Sequence, residues 1–110
     1  MNYYILVGRT PVLTSLLKFE LWFEIANRCV STTKIDDMEV STVFLGLDHN
    51  FNLSGPPLLF ETMIFGNPID HDYQKRCSTW EQALHMHEEG CAYARKVIAE
   101  QAPILPPERP

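Results

Sequence analysis

The spacing of apolar residues changes twice along this chain, and that change constrains its fold more than any motif. Leu16, Phe19, Phe23, Ala26 and Val30 recur at steps of three and four, with Trp22 beside them. Such spacing marks an amphipathic helix whose stripe faces a core, and Thr14 or Ser15 is placed to cap it. From Val30 the period becomes two. Val30 to Ile35, the acidic turn Asp36-Asp37, and Glu39 to Leu47 predict a strand, a tight turn and a longer strand rich in Val, Thr and Phe. Leu58 to Phe65 predicts a return strand ended by Gly66-Asn67-Pro68. Both of its faces are apolar, which places it inside the sheet with helices on at least one side.

Helical spacing then returns. Ile69 to Cys77 reads as a polar connection, after which Ser78 or Thr79 can cap a second helix, with Glu81 or Gln82 closing a capping box. Trp80, Leu84, His87, Cys91, Ala94 and Ile98 alternate steps of four and three on both sides of Gly90. One continuous helix is therefore predicted, despite a glycine that costs it about 1 kcal/mol.

At the start of the chain, Tyr3 to Val7 predicts a strand closed by Gly8 and Pro11. The order is β-α-β-β-β-α. An α+β fold follows: a mainly antiparallel sheet of about four strands, with two helices packed on one face to bury both stripes. Residues 1–101 make one domain. The remainder, 102–110, has four prolines in nine residues and reads as a polyproline-like tail rather than a docking motif, despite its P-x-x-P spacing.

Composition narrows the function. The chain has 110 residues, 45% of them apolar, enough for one core without staples. Its three cysteines, Cys29, Cys77 and Cys91, are odd in number and lack a CxxC pair, so neither a disulfide framework nor a zinc ribbon is indicated, and a reducing compartment fits. The net charge is −5, and its 9 basic residues are scattered, which disfavours direct binding of a nucleic-acid backbone. The stretch MNYYILVGRTP has no basic region before a short apolar run, which predicts neither secretion nor membrane insertion. The expected location is the cytoplasm.

No phosphate-binding loop, Rossmann fingerprint, nucleophile elbow or HExxH is present. No catalytic residue, cofactor or metal is assigned. Glu61 stands in the apolar run Leu59 to Ile64, where burial would make it a candidate general acid or base, although a hydrated position on a half-covered sheet face is the simpler reading. His87 and Cys91 lie one helical turn apart, a spacing that can serve a metal. Two ligands do not make a site, and a core histidine bonded to a carbonyl beside a small buried cysteine is the simpler account. Asp70-His71-Asp72 reads as a solvated loop, His85 as solvated, and Trp22 and Trp80 as packing residues.

The loop from Asp48 to Pro57 stands out. Its length of about ten residues exceeds the usual two to five of a hairpin connection. Asp48, His49, Asn50 and Asn52 offer polar groups, Phe51 and Leu53 offer apolar ones, and Gly55, Pro56 and Pro57 stiffen the return. These six residues, Asp48 to Leu53, are the candidate partner-binding surface. The competing role for Phe51 and Leu53 is to fold back over an open end of the core.

Three stretches also carry a resemblance: Val40-Ser41-Thr42-Val43-Phe44-Leu45-Gly46-Leu47-Asp48-His49, then Pro56 to Gly66 (PPLLFETMIFG), then Ser78-Thr79-Trp80-Glu81-Gln82-Ala83. In order and spacing they resemble a family of small uncharacterised proteins of bacteriophages and prophages, over roughly residues 20 to 95. The family carries no assigned activity, so no functional residue is transferred from it. It implies a context: a phage-encoded accessory protein in the bacterial cytoplasm, acting by stoichiometric binding to a host or phage protein, including inhibition of a defence system such as CRISPR. The alternative is a small-molecule or nucleotide binder, or a small hydrolase, using Asp48, His49 and Glu61.

Overall fold

A computed structural model describes residues 1–52, 54–67 and 72–101. The elements run β1 (Tyr3–Val7), β2 (Thr10–Thr14), α1 (Leu16–Ile25), β3 (Cys29–Ile35), β4 (Met38–Phe44), β5 (Phe60–Phe65), β6 (Gln74–Cys77) and α2 (Trp80–Gln101). The fold is α+β, with an antiparallel four-stranded sheet in the order β3-β4-β5-β6 and a separate two-stranded hairpin, β1-β2. Strands β2 and β6 are additions to the expected order, and β1 pairs with β2 instead of joining the four-stranded sheet. Pro11 reads as a strand breaker, yet β2 pairs only with β1 and tolerates it as an edge strand. Polar β6 is held by pairing with β5, from Phe60 opposite Cys77 to Met63 opposite Gln74.

Burial alternates strictly along β4. Met38, Val40, Thr42 and Phe44 of β4 are buried, and their cross-strand partners on β5 include Ile64, Thr62 and Phe60. All of them face α2, whose buried residues are Ala83, Met86, His87, Gly90, Cys91 and Ala94. Two apolar clusters result. One gathers Met38, Val40, Ile64, Cys91 and Ala94, the other Phe44, Leu59, Phe60, Ala83 and Met86. Each large side chain so buried contributes about 1.5–3 kcal/mol. Leu84, assigned to the stripe by spacing, is instead exposed, because Ala83 and Met86 lie nearer the sheet.

The expected capping box closes through Gln82. Its backbone N–H donates to Thr79 Oγ1 at 3.1 Å, and its side-chain oxygen accepts from the N–H groups of Ser78 and Thr79, each at 3.1 Å. The helix then runs unbroken through Gly90, where an added Cβ would come within 3.1 Å of both Thr62 Cγ2 and Val40 Cγ1. Gly90 is therefore a point of close approach between helix and sheet.

Helix α1 is shorter than its spacing predicts. Ser15 caps it by accepting from Lys18 N–H at 3.3 Å, and Ala26 ends it in an extended conformation, so Val30 belongs to β3. Phe19 is its one buried residue, seated over Gly46, whose φ of +80 and contact with the Phe19 ring leave no room for a Cβ. Trp22 meets Phe44 edge to face at 5.6 Å, which brings α1 to the end of the face that α2 covers. Of the predicted stripe, Leu16 and Phe23 remain exposed, as do Leu17, Leu21 and Ile25 outside it.

Candidate functional site

The loop from residue 45 to residue 59 leaves β4 at Phe44 and returns to β5 at Phe60, its base closed by Leu45 N–H donating to Leu59 O at 2.7 Å. Its interior is organised by two side chains. Asp48 Oδ1 accepts from Asn50 N–H at 2.8 Å and from Leu58 N–H at 3.0 Å, an Asx turn that also ties the two arms together. Asn50 repeats the device: its Oδ1 accepts from Asn52 N–H at 3.0 Å, while its Nδ2 donates to Ser54 O at 3.1 Å and Pro56 O at 2.9 Å. Asp48 Oδ1 and the Asn50 amide are thus engaged within the loop itself.

His49 donates its backbone N–H to Leu58 O at 3.0 Å, and its Nδ1 lies 2.8 Å from Leu47 O. A carbonyl only accepts, so Nδ1 carries a proton and Nε2 is turned away from this bond. Phe51 does not fold back over the core: it is 75% exposed, with its ring centroid 6.1 Å from that of His49. Beside it a hollow of about 420 Å³ is lined by Met1, Asn2, Asp48, Asn50 and Phe51. Of the six predicted contact residues, His49, Phe51 and exposed Asn52 are available to a partner, Asp48 and Asn50 hold the loop, and Leu53 lies outside the described residues.

Glu61 sits elsewhere, on the sheet face opposite α2, with Val43 and Arg76 as cross-strand partners. The hydrated position expected for it is not observed. It is 9% exposed, and Arg76 Nε donates to its Oε2 at 2.9 Å. Asp48 bonds its own loop and Glu61 bonds Arg76, so no hydrogen bond joins the residues of the hydrolase alternative among the described residues.

His87 and Cys91 are buried, as their phase on α2 predicts, but the partner of the histidine is not a carbonyl. Nε2 lies 2.8 Å from Thr33 Oγ1 and Nδ1 lies 2.7 Å from Thr42 Oγ1, which is itself 2.6 Å from Thr62 Oγ1. Burial pushes the His87 pKa below its ordinary value near 6.5, opposed by the charge of Glu88. Among the described residues no group of three or more His, Cys, Asp or Glu could hold a metal ion. Asp70 and His71 lie outside the described residues, and Asp72 is exposed.

A second concavity, of about 690 Å³, lies between β6 and the first turns of α2, with Leu58, Cys77 and Met86 among its lining residues and Lys75, Glu81 and Glu89 also bordering it. Burial pushes the Cys77 thiol up to about 11, while its bond to Thr79 O acts weakly the other way. At neutral pH it is a protonated thiol and a poor nucleophile. The residues that sequence reasoning missed, Arg76 and the three threonines around His87, share one cause: their roles depend on cross-strand register. No helix among the described residues is long and apolar enough to cross a membrane. Compared with protein-family models, curated proteins and solved structures, the chain matches none.

Proposed function

We propose that this chain is a phage-encoded accessory protein of the bacterial cytoplasm that binds a host or phage protein stoichiometrically, with His49, Phe51 and Asn52 at the contact. Phe51 carries the reading. An aromatic side chain 75% exposed on a loop that its neighbours hold in shape is a costly arrangement in water and a favourable one for an anchor, because little order is left to impose on binding. Inhibition of a bacterial defence system such as CRISPR is the specific form that the phage resemblance supports. A small polar ligand in the hollow beside Phe51 is the second reading, favoured by the convergence there of Asn2, Asp48 and Asn50.

The test compares the wild type with Phe51→Ala. Affinity capture from phage-infected cells is followed by reconstitution with the purified captured protein, and native mass spectrometry of the isolated chain detects any retained small molecule. A one-to-one or other fixed-ratio complex weakened at least tenfold by Phe51→Ala supports the proposal. A complex indifferent to Phe51 overturns it, and a retained small molecule with no protein complex transfers the loop to the second reading.

A further inference from the structure

We propose that the outer edge of β6 takes an extended, basic segment of a partner protein as a fifth strand of the sheet. Strand β6 ends the order β3-β4-β5-β6 and, among the described residues, pairs only with β5. In an antiparallel ladder alternate residues turn their N–H and C=O toward the neighbouring strand, and those between turn theirs outward. Alternate residues of Gln74–Cys77 therefore present backbone groups that no described residue pairs. The opposite edge is less regular. Strand β3 shifts register against β4 between Cys29 and Ser31, a bulge of the kind that turns an edge away from added strands. Strand β6 keeps its register against β5 from Met63–Gln74 to Phe60–Cys77.

A groove lies along this edge. Lys75, Arg76 and Cys77 are consecutive in the strand and point to alternate faces, yet all three line the hollow of about 690 Å³. The hollow thus follows the backbone edge of β6 and not one of its faces. Its other wall is α2, where Glu81, His85 and Glu89 follow at steps of four, and its apolar part is made by Leu58, Cys77 and buried Met86. A hollow of about 440 Å³ continues it: Lys75 and Glu89 border both, and Tyr73 and Tyr93, ring centroids 4.8 Å apart, line the far end. A strand edge beside a helix holds a peptide's backbone by the ladder and its alternate side chains by the groove.

The charges select the segment. Asp72, Glu81 and Glu89 border the groove, and His85 Nε2 lies 3.0 Å from Glu89 Oε1. Against them stands Lys75, since Arg76 is bound to Glu61. The Lys75 ammonium lies 5.9 Å from the Tyr73 ring centroid, drawn along the groove. The balance is acidic, as is the chain at −5, and it favours a segment rich in Lys or Arg. Side chains two residues apart in that segment, about 6.6 Å, share the groove side. One is apolar and meets Leu58 and Met86; the next is cationic and meets Glu89 and the exposed face of Tyr93. A second copy is a poor occupant, because pairing β6 with itself brings Asp72, Glu81 and Glu89 toward their own copies.

This site goes beyond the loop, since the groove shares no lining residue with the hollow beside Phe51. The probe is a pool of octapeptides randomised over all residues except proline and cysteine, whose enriched members are titrated into the isotope-labelled full chain. Enriched peptides are expected to carry Lys or Arg two residues from an apolar side chain and to bind below about 100 µM, the weak end of specific peptide recognition. They should slow amide exchange at alternate residues of β6. Glu89→Lys, a change at an exposed position, should weaken them at least tenfold. N-methylation of alternate peptide amides should abolish binding in one phase and spare it in the other. No binder below that concentration overturns the proposal, as does enrichment of acidic peptides. Basic peptides that ignore Glu89→Lys, or that tolerate N-methylation in both phases, overturn it too, because they would bind without the ladder or the charge. Slow exchange at the same β6 amides in the chain alone shows an edge already covered, by a second copy where protection rises with concentration and by the chain itself where it does not, and either result overturns the proposal. Phe51→Ala leaves peptide affinity unchanged, so this result and that of the loop are read separately.

Discussion

Thr42 and His87 share a buried hydrogen bond of 2.7 Å between the central strand β4 and helix α2, at the point where the two apolar clusters of the core meet. The Thr42 hydroxyl bonds the cross-strand Thr62 as well, and Thr33 meets the other imidazole nitrogen. Hydroxyls donate or accept, so the chain is satisfied by either neutral tautomer, and burial is what disfavours the imidazolium.

Acid should therefore weaken the fold through His87. Its folded pKa lies below the unfolded one, so the unfolded state binds the proton more readily. The contribution is complete above pH 6.5 and is lost as the pH falls from there through the lower folded value. Urea midpoints measured between pH 8 and pH 5 should fall in that window. In His87→Gln, a variant destabilised by about 1–3 kcal/mol through its unmatched hydroxyl partners, this part of the slope should be gone. An unchanged slope would place the titration on another group.

Gly90→Ala should destabilise, against the gain of about 1 kcal/mol that the same change gives an ordinary helix. The new methyl meets Thr62 and Val40, both fully buried and β-branched, and the Thr62 side chain is held by its bond to Thr42. With neither neighbour free to turn, the expected loss is about 1–2 kcal/mol in chemical denaturation. A stabilised Gly90→Ala would mean that the helix can lift from the sheet at no cost.

What was legible in the sequence follows from which signals are local. The Ser78-Thr79 cap, the Asp36-Asp37 turn and, Leu84 apart, the long α2 phase depend on residues within one or two turns of each other, and they appear as spacing predicts. Strand β6 does not, because Gln-Lys-Arg-Cys has no apolar alternation and is a strand through its ladder with β5. Arg76 was hidden with it, and so was the reason a carboxylate is tolerated at Glu61. The stripe of α1 was right for Phe19 and Trp22 and wrong for Leu16 and Phe23, because spacing reports that residues are apolar on one side, not that the same chain provides a surface to cover each of them. The loop was found through its length, but the inward turn of Asp48 and Asn50 and the outward turn of Phe51 required the geometry.

The Glu61–Arg76 pair should respond unequally to loss of its two members. Glu61→Gln keeps a neutral acceptor for Arg76, whose side chain retains access to water, and should lose about 1 kcal/mol or less. Arg76→Met leaves a carboxylate at 9% exposure without its donor and should lose roughly 1–3 kcal/mol. Equal losses in urea denaturation would show that the pair acts through packing alone.

Within the loop, Asp48 and Phe51 should separate shape from contact. Asp48 holds the N–H groups of Asn50 and Leu58 through one carboxylate oxygen, Oδ1, so an amide oxygen at the same place can accept both. Asp48→Asn should therefore preserve the loop, while Asp48→Ala releases two donors and should lower stability by about 1–2 kcal/mol. Amide exchange at Asn50 and Leu58 reports the change directly and should quicken in Asp48→Ala alone. Phe51→Ala, at a side chain that is mostly in water, should leave both exchange and stability within about 0.5 kcal/mol of the wild type. If Phe51→Ala instead destabilised the chain as much as Asp48→Ala, the ring would be part of the core's cover, and an anchor for a partner would no longer be needed to explain its position.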